Sequence, residues 1–390
     1  MGPTTTLQIA VVGAGPVGLA LALHAATALP QAQITLFDAR PAERDVAADP
    51  RTLALSLGSV QLLRRLGVMA PAQAITEVHV SQQPPSFGDA EVRIRAADEA
   101  VPQLGAVLSY GALVAPMQRA WETAVAAEPV RLRSRFGTAV AALKDVPGGV
   151  EVDAGIAETF DLVVVAEGGV FSDQVRKAVV HDYRQTAWVG TVSIEGGTPG
   201  LAIERFTRHG PAALLPLGGE RWALVWCVPS EDDPVRDLDE TQRLAVLAQI
   251  FPAIAGRPVA LSPLKAFPLG LNAERTLVAG RTVRIGNAAQ TLHPVAGQGL
   301  NLGLRDAYEL VAALRFNNDD VADVDAALRR VEWARAPDRW AMIATTDFLA
   351  RSFTWQLPGA ALARGLGLAA LQALPPVKHW LARRMMFGAR

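Results

Sequence analysis

The chain has very little cysteine: Cys227 is the single one among its 390 residues. One cysteine excludes an intramolecular disulfide and any zinc site built on several cysteines, and it fits a reducing cytosol. Cys227 lies in an apolar run, residues 222–228, that is typical of a buried strand. We therefore expect a buried structural cysteine and not a catalytic thiol.

The chain also has few histidines and almost no net charge. The six histidines show no paired spacing typical of metal ligands, so no metal site is expected. The 37 Lys and Arg nearly balance the 38 Asp and Glu, which gives no indication of a nucleic-acid partner. Half of the residues are hydrophobic and only 19% are charged. This composition leans toward an apolar substrate or a membrane surface.

One apolar stretch, residues 9–29, carries no charge and is long enough to span a bilayer. Three glycines and Pro16 fall in it at positions typical of nucleotide binding, His24 interrupts it, and no basic residue precedes it. We therefore interpret it as a strand, a glycine turn and a helix. The first residues also fit a myristoylation pattern, which is short and frequent by chance.

The glycine turn has the form Gly13-x-Gly15-x-x-Gly18. In such a turn the first glycine permits a tight bend, the second lets a pyrophosphate approach the backbone, and the third lets helix and strand pack closely. Asp38 ends the next predicted strand, where an acid accepts hydrogen bonds from an adenosine ribose. The unit predicts dinucleotide binding but does not by itself distinguish NAD from FAD.

A second glycine-rich segment, residues 286–301, lies far along the chain and opens another helix. Its small residues free backbone N–H groups to approach a flat ring, and one ligand long enough to need both segments is FAD. The N–H groups from Gly297 to Leu300 would stabilise negative charge on the flavin by about 0.3 to 2 kcal/mol. That stabilisation favours the reduced anion, which reacts with dioxygen.

Two blocks with alternating apolar and polar residues, 77–97 and 188–269, lie between the segments of the nucleotide fold. The second block contains a hairpin that turns at Gly218 and Gly219. Inserted strands predict a second sheet over the cofactor, a usual position for a substrate chamber. The chain is mostly helical from about Leu300, with breaks predicted at Pro337, Pro358 and Pro375.

These elements predict an α/β protein with a Rossmann-like FAD-binding domain, an inserted β-sheet substrate domain and C-terminal helices. The FAD-binding domain is discontinuous, with residues 1–75, 105–180 and 275–315. The substrate-binding sheet domain takes residues 76–104 and 181–274, and residues 316–390 form the C-terminal helical region.

Three segments, residues 49–56, 161–168 and 286–301, occur in an order and spacing that resemble the class A flavoprotein monooxygenases. The resemblance covers essentially residues 7–390. Within that group the chain is most similar to the ubiquinone-biosynthesis ring hydroxylases, in particular to the 2-polyprenyl-6-methoxyphenol hydroxylases. The resemblance is strengthened by residues 204–211, 224–227 and 346–349.

The resemblance implies FAD as the cofactor and NAD(P)H as a transient reductant that binds without its own dinucleotide fold. Arg51 is expected along the flavin, Asn287 near the ribityl chain, and residues 294–301 around the isoalloxazine ring. The cofactor would carry the difficult chemistry, so no side chain is assigned as catalytic. The expected cofactor-binding residues are Gly13, Gly15, Gly18, Asp38, Arg51, Glu167, Gly286, Asn287, Pro294, Gly297, Gln298, Gly299, Leu300 and Asn301.

Two positions depart from the broad group. Its usual Gly-Asp-Ala-Ala-His is here residues 286–290 with Asn287 and Gln290, a version typical of the 6-methoxyphenol hydroxylases. Its usual Asp-Gly after the middle strand is here Glu167-Gly168, and the longer side chain leaves the role of Glu167 open. His293 is placed near the flavin with Pro294, but a structural role fits it at least as well. His209 fits a loop as well as the substrate chamber.

The C-terminal region has no acidic residue after Asp347. Large apolar residues there are interleaved with basic ones, namely Arg351, Arg364, Lys378, Arg383, Arg384 and Arg390. This pattern is typical of a surface that lies on an anionic membrane, where a polyprenyl substrate resides. The alternative is a set of core-packing helices with solvated arginines.

The implied function is hydroxylation of a 2-polyprenyl-6-methoxyphenol in ubiquinone biosynthesis, with NAD(P)H and dioxygen and through a 4a-hydroperoxyflavin. The expected partners are the polyprenyl phenol and other ubiquinone-biosynthesis proteins, and the expected location is cytoplasmic, peripheral on the inner face of the cell membrane. Two alternatives stay open. One is a class A hydroxylase of a small soluble aromatic, and the other is a non-catalytic flavin-binding scaffold subunit of a lipid-modifying complex.

Overall fold

The structure is a computed structural model that describes residues 6–84, 90–168, 177–316, 324–352 and 359–388. The myristoylation pattern, the predicted break at Pro358 and the charge of Arg390 lie outside these ranges. The helices are α1 (Pro16–Ala28), α2 (Leu57–Arg65), α3 (Tyr110–Ala127), α4 (Glu240–Ile250), α5 (Gln298–Phe316), α6 (Val324–Ser352), α7 (Ala360–Ala373) and α8 (Pro375–Phe387).

The strands in chain order are β1 (Gln8–Val12), β2 (Gln33–Asp38), β3 (Thr52–Ser56), β4 (Gln73–Ile75), β5 (Glu77–Gln82), β6 (Glu91–Arg95), β7 (Gly105–Ser109), β8 (Leu132–Phe136), β9 (Ala142–Val146), β10 (Gly149–Asp153), β11 (Ala157–Phe160), β12 (Leu162–Val165), β13 (Val179–Glu195), β14 (Leu201–Phe206), β15 (Pro211–Gly218), β16 (Arg221–Pro229), β17 (Arg257–Leu261), β18 (Lys265–Ala273), β19 (Val278–Ala279), β20 (Thr282–Arg284) and β21 (Gln290–Thr291).

The nucleotide fold is built on a six-stranded sheet in the order β19-β20-β12-β1-β2-β8. Its central strand β1 is apolar because both faces of the sheet are covered, as parallel sheets require. Ile9 and Val11 pack in the core that holds α1 and α5, whereas Ala10 and Val12 pack against the three-stranded sheet β9–β11. The predicted α/β fold class is confirmed, and the apolar stretch 9–29 is a strand, a turn and a helix buried inside the protein.

A nine-stranded sheet lies beside the nucleotide fold, in the order β21-β18-β13-β16-β15-β14-β5-β6 with β17 paired to β13. The predicted hairpin at Gly218 and Gly219 is confirmed as β15 and β16. The alternating pattern of residues 188–269 did not predict α4, which packs on the outer face of this sheet. The overlooked signal is a capping box in which Asp239 and Gln242 cap the first turn of that helix reciprocally. The domain boundaries stay a prediction.

The break predicted at Pro337 is wrong, because α6 continues through this residue. Proline removes one helical hydrogen bond and usually bends a helix. Pro337 lies on the exposed side of α6, where water can solvate the freed carbonyl. The opposite side of α6 is held by buried charged residues described below. The predicted break at Pro375 is confirmed, since this residue begins α8 after a bend of 96° from α7.

Among the described residues, no single helix has both the length and the apolar character needed to cross a membrane. Helices α7 and α8 meet that test of length and composition only when taken together as a bent pair. We call them the C-terminal helix pair.

Candidate active site

The first glycine turn leaves room at one of its three glycines. Gly13 has a φ of +104°, and a Cβ atom there would lie 2.9 Å from the backbone nitrogen of Glu167. A Cβ atom at Gly18 would lie 1.9 Å from the carbonyl oxygen of Gly13. At Gly15, however, the nearest described atom is the Tyr110 hydroxyl oxygen at 3.7 Å. The fold therefore requires the outer two glycines, and the space over Gly15 at the start of α1 fits a pyrophosphate.

Two acids flank this turn. The carboxylate of Asp38 accepts hydrogen bonds from the backbone nitrogen atoms of Ala14, at 2.5 Å, and Arg40, at 2.8 Å. It therefore ties the turn to the end of β2 in addition to any contact with a ribose. Burial raises the pKa of Glu167, and the negative charge of Asp38 raises it further. Glu167 thus belongs to the same corner of the site.

Arg51 lies at the exposed edge of this part of the site. Its guanidinium group forms a bidentate pair with Asp49, with Nη2 at 2.8 Å from Oδ2, and stacks 4.2 Å from the ring centroid of Tyr110. The pair holds the pKa of Asp49 below its usual range. Tyr110 was not among the predicted site residues. It begins α3 directly after β7, and no local signal in the sequence indicates it, because Tyr110 comes beside Gly15 only when α3 packs on α1.

The second glycine segment packs closely on α5, and the side chain of Val17 from α1 lies against both. Gly286 has a φ of +60°, and a Cβ atom at Gly303 would lie 2.8 Å from its Cα atom. The backbone nitrogen of Gly297 donates to the Pro294 carbonyl at 3.0 Å, so the N–H group of Gly297 is engaged in this turn. The N–H groups of residues 298–300 belong to the first turn of α5, where no helical acceptor exists for them. At Gly299, no other part of the described chain lies within 4 Å of a Cβ position.

The side chain of Asn301 is occupied by protein contacts. Its Oδ1 accepts from the Ser56 nitrogen and from the Ser59 hydroxyl, each at 2.8 Å. Its Nδ2 donates to the carbonyl oxygens of Ala54, at 3.1 Å, and Gly297, at 2.9 Å. Asn301 therefore clamps the first turn of α5 to β3, and a contribution to a cofactor would come from its backbone.

His293 lies behind the 294–301 segment. It is 1% exposed, its Nδ1 accepts from the Val295 nitrogen at 3.2 Å, and its Nε2 lies 2.9 Å from Oε1 of Gln185. This geometry places the proton on Nε2, which donates to Gln185. Burial lowers the pKa of His293 to about 3. His293 is thus neutral and structural, whereas Pro294 lines the cavity described next.

A buried polar network behind this segment was missed by the sequence analysis. Arg335 pairs with Asp306 at 2.7 Å and with Asp338 at 2.9 Å, and Arg305 pairs with Asp338 at 3.0 Å. The network joins α5 to α6. The sequence analysis assigned no role to its residues, but Arg335, Asp338 and Arg339 share one helix face, which was the available signal.

A cavity of about 390 Å³ lies between the second sheet, the 294–301 segment and the C-terminal helices. Its walls are mostly apolar. The sheet contributes residues of β5, β6, β14, β15 and β16, among them Cys227, which is buried as predicted. Burial raises the pKa of the Cys227 thiol. The C-terminal helix pair contributes Leu368, Leu371, Leu381, Ala382, Met385 and Met386.

The opposite side of the C-terminal helix pair is apolar and exposed. Its exposed large residues are Leu362, Leu366, Leu374, Val377 and Trp380, the last with 61% exposure. Arg364 is turned inward, with Nη1 donating to the Ser352 carbonyl at 2.6 Å. The C-terminal helix pair therefore has features of both packing helices and a membrane-facing surface.

His209 lies in the loop between β14 and β15 and is not among the cavity-lining residues, which favours the loop role for it.

A pyrophosphate turn, a second glycine segment and an apolar cavity beside them are together the features of a flavoprotein monooxygenase. A family model described as FAD binding domain matches residues 6–344, so the chain belongs to that family and is an FAD-dependent monooxygenase. Its cofactor is FAD, with NAD(P)H as the reductant typical of the family.

Two curated relatives are named as hydroxylases of ubiquinone or demethoxyubiquinol. The chain is 31% identical to the 3-demethoxyubiquinol 3-hydroxylase of Escherichia coli over 95% of this chain and 96% of that protein. It is 38% identical to the ubiquinone hydroxylase UbiL of Rhodospirillum rubrum over 58% of this chain. The chain spans about half the length of that second relative, 54%.

Solved structures show the same fold at low sequence identity. HpxO of Klebsiella pneumoniae, complexed with FAD and uric acid, superposes with a TM-score of 0.71 at 16% identity and covers 99% of this chain and 98% of that one. The probable FAD-dependent monooxygenase pqsL of Pseudomonas aeruginosa gives a TM-score of 0.73 at 17% identity over 93% of this chain and 99% of that one.

Proposed function

We propose that this protein hydroxylates a polyprenyl phenol in ubiquinone biosynthesis, and that its substrate is a 2-polyprenyl-6-methoxyphenol. The observation that carries the proposal is the apolar cavity, which is bounded on one side by the 294–301 segment. The names of the curated relatives support the same pathway. The predicted cofactor-binding residues and domain boundaries form part of this proposal.

The residues of the chain would bind the cofactor, and they would orient and enclose the substrate. Bound FAD, once reduced, supplies the chemistry that activates dioxygen. The space over Gly15 would hold the pyrophosphate, and the first turn of α5 would stabilise negative charge on the flavin. The second sheet and the C-terminal helix pair would exclude water and hold the phenol ring against the flavin.

The substitution pattern of the substrate predicts the position of attack. A phenol directs electrophilic oxygen to its ortho and para carbons, and both ortho carbons of a 2-polyprenyl-6-methoxyphenol are occupied. The para carbon is the open target, and its hydroxylation yields a 1,4-benzoquinol. The E. coli relative carries the name of a 3-hydroxylase, and the product analysis below distinguishes that position from the para carbon.

The size of the cavity limits how much of the prenyl tail it can hold. At about 390 Å³ the cavity is near the lower end of the range of about 300 to 1,000 Å³ that holds drug-sized ligands. It would accommodate the ring and the start of a prenyl tail, and a longer tail would leave past the C-terminal helix pair. The exposed apolar residues and the basic residues of that pair fit a peripheral site on the anionic inner face of the cell membrane, near other ubiquinone-biosynthesis proteins.

The test is a product analysis with labelled dioxygen. The FAD-loaded protein is incubated with NAD(P)H and 2-prenyl-6-methoxyphenols of several tail lengths. We expect one labelled oxygen at the para carbon. Hydroxylation at another carbon would contradict the assigned substrate, and reductant oxidation that yields only hydrogen peroxide at every tail length would contradict the hydroxylase proposal.

A further inference from the structure

Helix α8 closes one side of the apolar cavity. Its inner side contributes Leu381, Ala382, Met385 and Met386 to the cavity wall, as described above. The helix follows a bend of 96° at Leu374, whose φ and ψ angles of −115° and 81° are not helical. The contacts that hold α8 against the rest of the fold therefore determine how well the cavity is enclosed.

The C-terminal end of α8 packs on the fold through two close approaches. At Gly58, in the first turn of α2, an added Cβ atom would lie 2.9 Å from the carbonyl oxygen of Met386. At Gly388, which caps α8 with a φ of +79°, an added Cβ atom would overlap with Nη1 of Arg305 and lie 3.1 Å from Oδ2 of Asp338. The end of α8 thus rests on α2 and on the buried network that joins α5 to α6. We call these contacts the seat of α8.

The side chain of Arg305 links the seat of α8 to the 294–301 segment. Its Nη1 donates to Oδ2 of Asp338 at 3.0 Å, and its Nη2 donates to Oε1 of Gln298 at 3.2 Å. Its Nε donates to the carbonyl oxygen of Asn301, one turn back on α5, at 3.2 Å. Gln298 begins α5 and lines the cavity. A single guanidinium group therefore lies between the end of α8 and the first turn of α5.

The guanidinium group of Arg305 is not free to yield alone, because these three acceptors hold it. A displacement of Gly388 would move it relative to Asp338 or Gln298, and a buried guanidinium that loses an acceptor is costly. A small cavity of about 30 Å³ adjoins Arg305 and Phe387, which is enough for a water molecule. This space would let the end of α8 and the guanidinium group shift together.

We propose that Arg305 is a positioning residue that couples the closure of α8 over the cavity to the placement of Gln298 and the first turn of α5 at the flavin. The inference rests on the proposed function, which places the flavin at residues 294–301. With α8 on its seat, Arg305 holds Gln298 and the Asn301 carbonyl in the arrangement described above. With α8 displaced, the guanidinium group shifts and the first turn of α5 shifts with it.

The coupling has two consequences. Bound FAD would favour the closed position of α8, and closure of α8 would strengthen FAD binding by the same factor, because coupling between two equilibria is reciprocal. The flavin would also reach its working position when the cavity is closed to water, which protects the reaction from loss of reducing equivalents.

The test is amide hydrogen exchange of α8 in the protein with FAD removed and with FAD restored. Exchange of residues 375–388 reports how often α8 leaves its seat. Exchange of α4, on the outer face of the second sheet, is the internal reference, since a bound cofactor stabilises the whole fold by mass action. Relative to α4, FAD should slow exchange in α8 of the wild-type protein on the order of tenfold.

Gly388→Ala disturbs the seat of α8 and leaves the guanidinium group itself intact. The relative protection of α8 by FAD should fall to about 1, and the FAD affinity should weaken on the order of tenfold in a fluorescence titration. Gly359→Ala is the control for a positive φ. Gly359 has a φ of +82°, and no other part of the described chain lies within 4 Å of its Cβ position. This control should retain both wild-type values.

Arg305→Lys tests the guanidinium group separately. A lysine keeps a charge opposite Asp338, but its single nitrogen lacks the planar fork that reaches Asp338 and Gln298 together. We expect the relative protection of α8 by FAD to be lost, as in Gly388→Ala. A melting temperature shows whether the variant folds, and Gly388→Ala decides the test if it does not.

The outcomes separate this inference from the proposed function. Protection of α8 by FAD that survives in both Gly388→Ala and Arg305→Lys would overturn the role of Arg305, and so would equal relative exchange with and without FAD in the wild-type protein. Neither result bears on the hydroxylated product, so the proposed function would stand. Failure to hydroxylate any prenylphenol would contradict the proposed substrate, whereas the exchange measurement involves only FAD and α8 and would still decide the role of Arg305.

Discussion

Nε of Arg339 donates to Oε1 of Gln290 at 2.6 Å, and both side chains are fully buried. Arg339 also donates to the backbone carbonyl oxygens of Glu274 and Arg275. Gln290 follows the Gly286 turn, and Arg339 lies on α6. One buried contact therefore fixes the second glycine segment, the end of β18 and the C-terminal helices relative to each other.

Gln290→Leu should lower the free energy of unfolding by about 3 kcal/mol, because it leaves the buried guanidinium of Arg339 without one of its acceptors. Urea unfolding of the FAD-loaded protein measures the change. The double variant Gln290→Leu with Arg339→Met removes the charge as well and should cost less than the two single variants added together. Strict additivity would contradict an energetic link between these two residues.

Gly15→Val should abolish FAD binding, whereas Gly18→Ala should destabilise the fold. Valine at position 15 would occupy the space over the start of α1, so we expect a folded protein that has lost FAD. Alanine at position 18 would collide with the carbonyl oxygen of Gly13, so we expect a large loss of thermal stability even though one methyl group is added. FAD titration and circular-dichroism melting distinguish the two. A Gly15→Val protein that still binds FAD would argue against the assigned pyrophosphate site.

Asn287→Asp should be much milder than Gly15→Val. The broader class A group has a carboxylate at this position, and an aspartate retains the acceptor atoms with nearly the same volume. We expect the variant to bind FAD with an affinity within about tenfold of wild type, or about 1.4 kcal/mol, as measured by fluorescence titration. Complete loss of FAD would contradict the role proposed for Asn287.

His293 should make stability depend on pH. Its pKa is about 3 in the folded protein and about 6.5 in an unfolded chain. Between these values the unfolded chain binds a proton that the folded protein does not. The free energy of unfolding therefore falls as pH falls below 6.5.

The comparison with His293→Asn isolates this effect. Wild type should exceed the variant in stability at pH 7.5, and the difference should shrink by about 2 kcal/mol at pH 5. Urea denaturation of both proteins at the two pH values gives the measurement. A difference that is the same at both pH values would mean that His293 is not buried in its neutral form.

The C-terminal helix pair should bind anionic vesicles. Each basic residue near the lipid contributes about 1 kcal/mol, and added salt screens that attraction. Trp380→Glu should weaken vesicle sedimentation, because Trp380 is exposed on this pair. Trp333→Glu is a matched control, since Trp333 is 81% exposed on α6, and it should have no effect. Equal binding of wild type to neutral and anionic vesicles at all salt concentrations would count against the electrostatic part.

The parts that the sequence predicted well are those with local signals. The turn at Gly13, the strand β1 and the hairpin β15–β16 each follow from residue spacing and turn chemistry. The second glycine segment was also placed correctly at the start of α5.

The contacts that the sequence did not predict are long-range. Three of the four hydrogen bonds of Asn301 and the pair between Arg339 and Gln290 join positions far apart in the chain, and no periodicity encodes such contacts. Tyr110 was missed for the same reason, because it reaches Gly15 only after α3 packs on α1. Helix α6 shows the converse, since its buried network outweighs the local tendency of Pro337 to break a helix.

The C-terminal helix pair is both a wall of the cavity and an exposed apolar surface. The same element would therefore enclose the substrate and contact the membrane. A chain cut before Pro375 would lose α8 and with it Leu381, Met385 and Met386 from the cavity wall. Water would then reach the reaction chamber, and reduced cofactor would pass its electrons to oxygen without a ring to modify. Truncation of the C-terminus would therefore convert a biosynthetic enzyme into an oxidase that consumes reductant without forming product. Any tag or fusion is better placed at the N-terminus.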